Sequence, residues 1–361
     1  MDKKMISPRH EGLKWLLSSV AFMLVFVLLL VNIGGVMQQK SGRKNVVPLY
    51  ENSESYDVIL AGTSHVVSSL FPMVMWENNG ITAVNFAQTG QPFPLTYYSI
   101  KEAIDVAAPE MVVVDLYYIY QGNQYAGNES YKHQTLDNFR VFSPAKIQAV
   151  FETIKDADAK VNFLFPFFAY HSRWTELAKT DFTKADILSK GAGEIFSVAE
   201  EPLVEPFEPI DVNDTKKPKP AMIDYIDRII ALCKEKDVKL MFTVVPYYPV
   251  GFEQERDLAD DQRLFNWVTQ YVEKQGVECL NMLYKVEEMG FAMDKYMREW
   301  NHQNYWGGEV TSKYLANYLQ ENYGIADHRG EAGYEKWNED FAAYDAWRQK
   351  QLDAFEKKNT K

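Results

Sequence analysis

Apolar positions along the chain follow two rhythms. Short apolar runs lie at 57–62 and 111–116, and runs of strand type at 81–86, 238–245 and 277–282. Continuous runs of this length, rather than strict alternation, suit strands covered on both faces of a parallel sheet. Between them apolar residues recur at helical spacing. The stretch 68–79 reads as a helix, and 94–106 carries Leu95, Tyr98, Ile100 and Ile104. Ile226, Ile229, Ile230 and Cys233 mark 221–236, a further helix is expected over 252–275, and Val310, Tyr314, Leu315, Tyr318 and Leu319 share one face of 306–323. Strands that alternate with helices predict right-handed crossovers and an α/β fold, a three-layer α/β/α sandwich around a mainly parallel sheet.

Two segments interrupt this plan. Residues 117–193 are aromatic and helical in parts, and 200–220 are rich in Pro, Glu, Asp and Lys. Together, 117–220 read as an insert that forms a lid over the sheet's edge and ends in a solvated loop. The tail, 326–361, is charged with Trp337, Phe341, Tyr344, Trp347 and Phe355 interspersed. It predicts an amphipathic helix packed on the domain's flank, with docking of a partner as the alternative.

The N-terminal pattern is of another kind. No charged residue occurs from Trp15 through Gln39, and Val20 to Val31 contains only Leu, Val, Phe, Met and Ala. At about 1.5 Å per residue the stretch exceeds a hydrocarbon core of about 30 Å. A cleaved signal peptide would have a shorter apolar region and a small-residue cleavage site, for which Gly34-Gly35-Val36-Met37 is a poor match. The expected organisation is a cytoplasmic 1–12, a single-pass anchor over 13–39, an α/β domain over 40–325 and the helical tail. Lys3, Lys4, Arg9 and Lys14 precede the anchor and Lys40, Arg43 and Lys44 follow it, so charge bias sets orientation weakly. Long C-terminal domains translocate largely regardless of flanking charge, which places residues beyond about 40 outside the cytoplasm at the cell membrane.

The chain has 361 residues and a net charge of −12, with no basic stripe beyond the N-terminal region, which argues against nucleic-acid binding. Its two cysteines, Cys233 and Cys279, read as buried thiols, with a disulfide between them left open. No Cys/His spacing suits zinc, and no metal or cofactor is expected.

Candidate chemistry sits at the two ends of the domain. Ser64, in Gly62-Thr63-Ser64-His65, follows the first strand, where sites of parallel sheets lie. A serine hydroxyl is a poor nucleophile until a histidine takes its proton and an acid steadies that histidine. Glu299-Trp300-Asn301-His302 supplies both, just before the last helix of the domain. The plainer role for Ser64 is that of a helix N-cap.

These blocks resemble the SGNH/GDSL hydrolase superfamily. Gly62-Thr63-Ser64-His65 is similar to its first block, Asn85-Phe86-Ala87-Gln88-Thr89-Gly90-Gln91 to its second, and Glu299-Trp300-Asn301-His302 to its last, normally Asp-x-x-His. The resemblance spans about 57–323. It implies Ser64 as nucleophile, His302 as base, Glu299 as its orienter and the Ser64 and Gly90 N–H groups as oxyanion donors. Asp294 is the alternative acid. The third block, Gly-x-Asn-Asp, is not recognisable in Asp115-Leu116-Tyr117-Tyr118-Ile119-Tyr120-Gln121-Gly122-Asn123, and Asn123 is the candidate for the missing donor.

The variant behind one membrane helix is similar to bacterial proteins that decorate cell-surface polymers, including polysaccharide O-acetylation proteins and the D-alanine transfer protein of teichoic acids. The resemblance therefore implies a membrane-anchored serine acyltransferase or esterase acting on acyl groups, O-acetyl above all, of an envelope polysaccharide or teichoic-acid-type polymer, with a membrane-bound O-acyltransferase as partner. His65 and Gln91 are candidate substrate-binding residues, although His65 could equally start a helix. Arg173 could hold an anionic acceptor and Trp174 could stack on a sugar, or both could belong to a surface helix start. Tyr117, Tyr118, Tyr120 and Tyr125 could form a carbohydrate wall or pack the lid. A catalytically silent glycan-binding or scaffold protein is the competing expectation.

Overall fold

Five parallel strands carry the fold: β1 Val58–Ala61, β2 Ala83–Asn85, β3 Met111–Asp115, β4 Lys239–Val244 and β5 Glu278–Asn281, in the order β2-β1-β3-β4-β5. The computed structural model describes residues 8–38, 49–50, 56–182, 188–199, 208–248 and 258–360. β1 is flanked by both β2 and β3, with Leu60 opposite Asn85 on one side and Val113 on the other. The strand order reverses at this point, so a crevice opens beyond its C-terminal end.

Alternate strand residues separate into two apolar clusters, as the two-residue period of a strand requires. Ile59, Val84, Val112, Val114, Phe242 and Val244 pack with Leu95, Tyr98, Ile229 and Phe265. Val58, Leu60, Ala83, Met111, Val113 and Met241 pack with Leu70, Met75, Leu315 and Leu319. Both faces are dry, and each large side chain removed from water contributes about 1.5–3 kcal/mol.

The helices before the insert are α1 Pro8–Met37, α2 Ser64–Ser69, α3 Pro72–Asn79 and α4 Phe93–Ala107. The insert adds α5 Glu129–Leu136, α6 Pro144–Thr153, α7 Ala157–Leu164 and α8 Pro166–Tyr170. After it come α9 Pro220–Glu235, α10 Leu258–Glu273, α11 Met293–Tyr296, α12 Tyr305–Tyr323 and α13 Glu335–Asn359. Residues of α2, α3 and α12 join the second cluster and those of α4, α9 and α10 the first, which gives the three layers.

One helix differs from expectation. The helix read over 68–79 begins at Ser64 and is broken at Leu70 and Phe71. Pro72 is the cause: it forces its predecessor out of the helical region and opens α3. Parts of the 252–275 helix and of the 200–220 loop lie outside the described residues.

The tail lies on the flank as α13. Trp337 and Tyr344 are buried, and Trp337 meets Trp76 and Tyr56 at ring-centroid distances of 5.3 and 5.8 Å. Arg348 pairs with Glu77 at 2.8 Å, and the buried Lys190 ammonium pairs with Asp340. Cys233 and Cys279 are unpaired, and burial pushes both thiols up to about 12.

Candidate active site

At the exit of β1 the backbone must turn sharply while packed on every side. A Cβ at Gly62, whose φ is 155°, would lie 2.6 Å from Val66 Cγ2 and 3.0 Å from Asp115 Cβ, so only glycine fits. Thr63 is the helix N-cap, with its Oγ1 accepting from His65 N at 3.2 Å. The capping role open to Ser64 is therefore filled by its neighbour. Ser64 stands at the first helical position, where the backbone N–H has no partner within the helix.

His302 arrives from the opposite end of the domain. Met297–Glu299 and His302–Gln303 form a two-stranded antiparallel hairpin in which Glu299 is the direct partner of His302. Cross-strand partners share a face, and this is why an acid three residues upstream meets the imidazole. His302 Nδ1 donates to Glu299 Oε1 at 2.6 Å, a tautomer set by that carboxylate, and Ser64 Oγ donates to His302 Nε2 at 2.8 Å. Asp294, the alternative acid, is exposed on α11 and makes no hydrogen bond or ion pair with His302 among the described residues.

The hairpin is braced from below. Gln303 is buried, donates to Pro246 O at 2.7 Å and accepts from Thr311 Oγ1 at 2.8 Å. Asn304 caps α12 by accepting from Gly307 N at 3.1 Å. α12 then reaches the end of α2 and the break after it: Ser312 Oγ donates to Ser69 O at 3.2 Å and accepts from Phe71 N at 2.7 Å, and Gly308 lies so close to Phe71 that a Cβ would come within 2.2 Å of its ring. One helix thus fixes both the serine's support and the histidine's.

The second block lies beside the first. Phe86 N donates to Leu60 O at 2.8 Å and Gln88 N to Gly62 O at 3.4 Å, which carries the 88–91 turn along the exit of β1. Asn85 is fully buried, and its Nδ2 donates to Val66 O at 2.9 Å and Leu70 O at 3.0 Å, tying β2 to the helix that carries Ser64. Gly90 has φ 67°, and the Tyr131 ring occupies the space a Cβ would need, 2.3 Å away. The Ser64 and Gly90 amides donate to no hydrogen bond among the described residues.

His65 forms the buried wall behind the triad. Its ring stacks on Tyr117 with centroids 3.5 Å apart, meets Tyr247 at 5.2 Å and stands 5.8 Å from the His302 ring. Burial, and next the nearby His302, hold its pKa well below the ordinary value, so it is neutral. Its Nε2 is buried and meets no hydrogen-bond partner among the described residues. Below it, Asp115 ends β3 fully buried. Desolvation pushes its carboxyl up to about 7 against the N–H groups of Tyr117 and Val245, at 3.2 and 3.4 Å.

Three sequence expectations change here. Gln91 is buried and spent on the start of α4, donating to Thr96 Oγ1 at 3.0 Å and accepting from Ser99 Oγ at 3.4 Å, so it packs the core and does not face a substrate. Asn123 is exposed, and its Oδ1 accepts from Tyr125 N at 2.8 Å; it closes its own turn and offers no oxyanion donor. Arg173 donates to Met37 O at the end of α1 and to Asp181 Oδ1 at 3.1 Å, so its guanidinium is a helix cap and not an anion clamp. Trp174 beside it is exposed at the base of the insert. Of the tyrosines, Tyr117 is buried against His65, Tyr118 and Tyr120 are partly buried, and Tyr125 is exposed. Sequence reasoning left Asn85, Asp115, Gln303 and Asn304 without roles. A polar residue closing an apolar run was the available signal at 85 and 115.

No protein-family profile matches the chain, and no curated protein matches it. Among solved structures, one described as a lipolytic protein of the G-D-S-L family from Desulfitobacterium hafniense DCB-2 is similar at TM-score 0.37 and 10% identity, covering 72% of this chain and 97% of that one. Another, described as a platelet activating factor from Streptococcus pneumoniae, has TM-score 0.39 and 11% identity, covering 84% of this chain and 98% of that one. At such scores the likeness adds nothing to the side-chain geometry.

Proposed function

We propose that this chain is an SGNH-type serine esterase or O-acyltransferase, anchored by α1 in the cell membrane, with its α/β domain outside the cytoplasm and acting on acyl groups of an envelope polysaccharide or teichoic-acid-type polymer. The observation that carries the reading is the unbroken hydrogen-bond line Ser64 Oγ, His302 Nε2, His302 Nδ1, Glu299 Oε1, at 2.8 and 2.6 Å. Ser64 Oγ attacks the carbonyl carbon of an acyl ester as His302 Nε2 takes its proton, and Glu299 stabilises the resulting imidazolium. The oxyanion is met by the backbone N–H groups of Ser64 and Gly90. Collapse expels the donor alcohol, which receives the proton from His302 and leaves an acyl-serine. An acceptor hydroxyl, or water, then attacks that ester with His302 again as base.

Anchoring is supported by the helix Glu11–Met37, long and apolar enough to cross a membrane, with no buried residue in its most apolar window. A tethered domain suits an acyl group delivered through a membrane-bound acyltransferase partner, and this favours transfer over hydrolysis. A fluorophosphonate probe tests the chemistry. Labelling of the native chain that disappears in Ser64→Ala supports a serine enzyme, whereas an unlabelled native chain would leave a glycan-binding scaffold. Mass analysis of envelope glycans from cells carrying native or Ser64→Ala protein then identifies acyl group and acceptor.

A further inference from the structure

From Leu13 to Ile33 the large apolar side chains of α1 are mostly exposed. At about 1.5 Å per residue that stretch is about 30 Å long, the thickness of a hydrocarbon core. Val27, Leu30 and Val31 are partly buried within it, and the backbones come into close contact at Gly34. Gly34 is buried, and a Cβ there would lie 2.8 Å from Phe167 N, so α8 rests flush on α1. Arg173 joins Met37 O to Asp181, and Gln38 donates from Nε2 to Asp137 O. α8, the 3-10 turn His171–Thr175 and the turn Lys179–Asp181 are therefore fixed beside the C-terminal end of α1's exposed apolar stretch.

This same segment shows three large aromatic side chains to the outside: Phe168 at 44% exposure, Trp174 at 66% and Phe182 at 68%. Such rings are costly against water but favoured at the boundary between headgroups and acyl chains. We propose that 165–182 is a membrane foot, in which Phe168, Trp174 and Phe182 enter the interface of the bilayer that α1 crosses. The foot fixes the domain's height and tilt, and with them the direction in which the Ser64 crevice faces. The proposal rests on the reading of α1 as a membrane span, and the occupant of this surface is lipid rather than a protein partner.

Depth-resolved quenching tests both parts. Single cysteines at Phe168→Cys, Trp174→Cys, Leu24→Cys within α1 and Asp353→Cys on α13 are labelled with an environment-sensitive fluorophore in the full chain; Cys233 and Cys279 are buried and stay unlabelled. The protein is placed in phosphatidylcholine–phosphatidylglycerol vesicles with spin labels near the headgroup or deep in the chain, or with iodide in the water. The labels at 168 and 174 are expected to be quenched several-fold more by shallow than by deep lipid labels, and little by iodide. The label at 24 should respond to deep labels and that at 353 to iodide alone. If 24 responds as expected while 168 and 174 behave like 353, the foot is rejected and the span stands. Protection of 168 and 174 from lipid and iodide alike would mean a protein cover, a second copy or a partner, and also rejects it. A label at 24 untouched by lipid overturns the span itself, and the foot with it.

Discussion

His302 Nε2 lies 2.8 Å from Ser64 Oγ although 238 positions separate the two residues. The other nitrogen of the same ring holds Glu299, so one imidazole links the start of the sheet to a hairpin near the end of the domain. The contact depends on supports at both ends, Gly62 and Thr63 for the serine and Gln303 and Asn304 for the histidine.

Ser64→Ala is expected to abolish fluorophosphonate labelling. His302→Gln should slow it by about 10²–10⁴, the usual worth of a positioned base. Glu299→Gln should cost less, because solvent reaches about half of that side chain and screens its charge. Labelling rates of the three variants, with circular dichroism to show retained fold, provide the measurement. A Glu299→Gln loss equal to that of His302→Gln would contradict the assigned roles.

Gly62→Ala should disturb the nucleophile's turn without touching the triad. The added methyl meets Val66 and Asp115 at 2.6 and 3.0 Å, and overpacking of this kind costs about 1–3 kcal/mol. Urea unfolding should show a lower midpoint, and Ser64 labelling should slow in parallel because α2 begins two residues later. Native labelling in a destabilised protein would separate the turn from the chemistry.

Asp115→Asn should alter how stability varies with pH. The folded chain keeps the Asp115 proton up to about pH 7, whereas an unfolded aspartate loses it near about 3.9. Between those values the folded state binds more protons than the unfolded one, so ionisable Asp115 lowers stability as pH rises, and its full penalty is present above pH 7. Asn carries no such term. The stability of Asp115→Asn relative to native protein should therefore rise between about pH 4 and 7, on top of a constant offset from the exchanged acceptor. A difference independent of pH would show that Asp115 titrates normally.

Trp337→Ala should expose how much the tail contributes. The indole is buried against Trp76 and Tyr56, and removing such a ring costs about 3–5 kcal/mol. A large drop in unfolding free energy is expected, with Ser64 labelling in the folded protein retained. A change below about 1 kcal/mol would mean that α13 is loosely held.

Much of the fold could be read from the sequence because the strands are dry on both sides. Such runs need no polar face, and 57–62 and 111–116 appeared as short apolar stretches, with 81–86, 238–245 and 277–282 as runs of strand type. Glu299 and His302 were legible as a pair because a tight hairpin makes three residues of separation equal to one cross-strand step. What could not be read involves partners without a side-chain signature. Arg173 caps a carbonyl at Met37, and Gln91 serves the first turns of α4; neither contact leaves a trace in spacing. The break at Leu70 followed from Pro72, whose restriction of the preceding residue outweighed the helical pattern around it.

The hairpin that carries His302 also sets when the Ser64–His302–Glu299 line can exist. A polypeptide grows from its amino end, so Ser64 emerges early and waits unactivated while the insert and later strands are made. Only after α12 has appeared and docked does the hydroxyl gain a base. An interrupted chain thus carries a serine without its base, and the hydrogen-bonded line is completed only together with a finished domain.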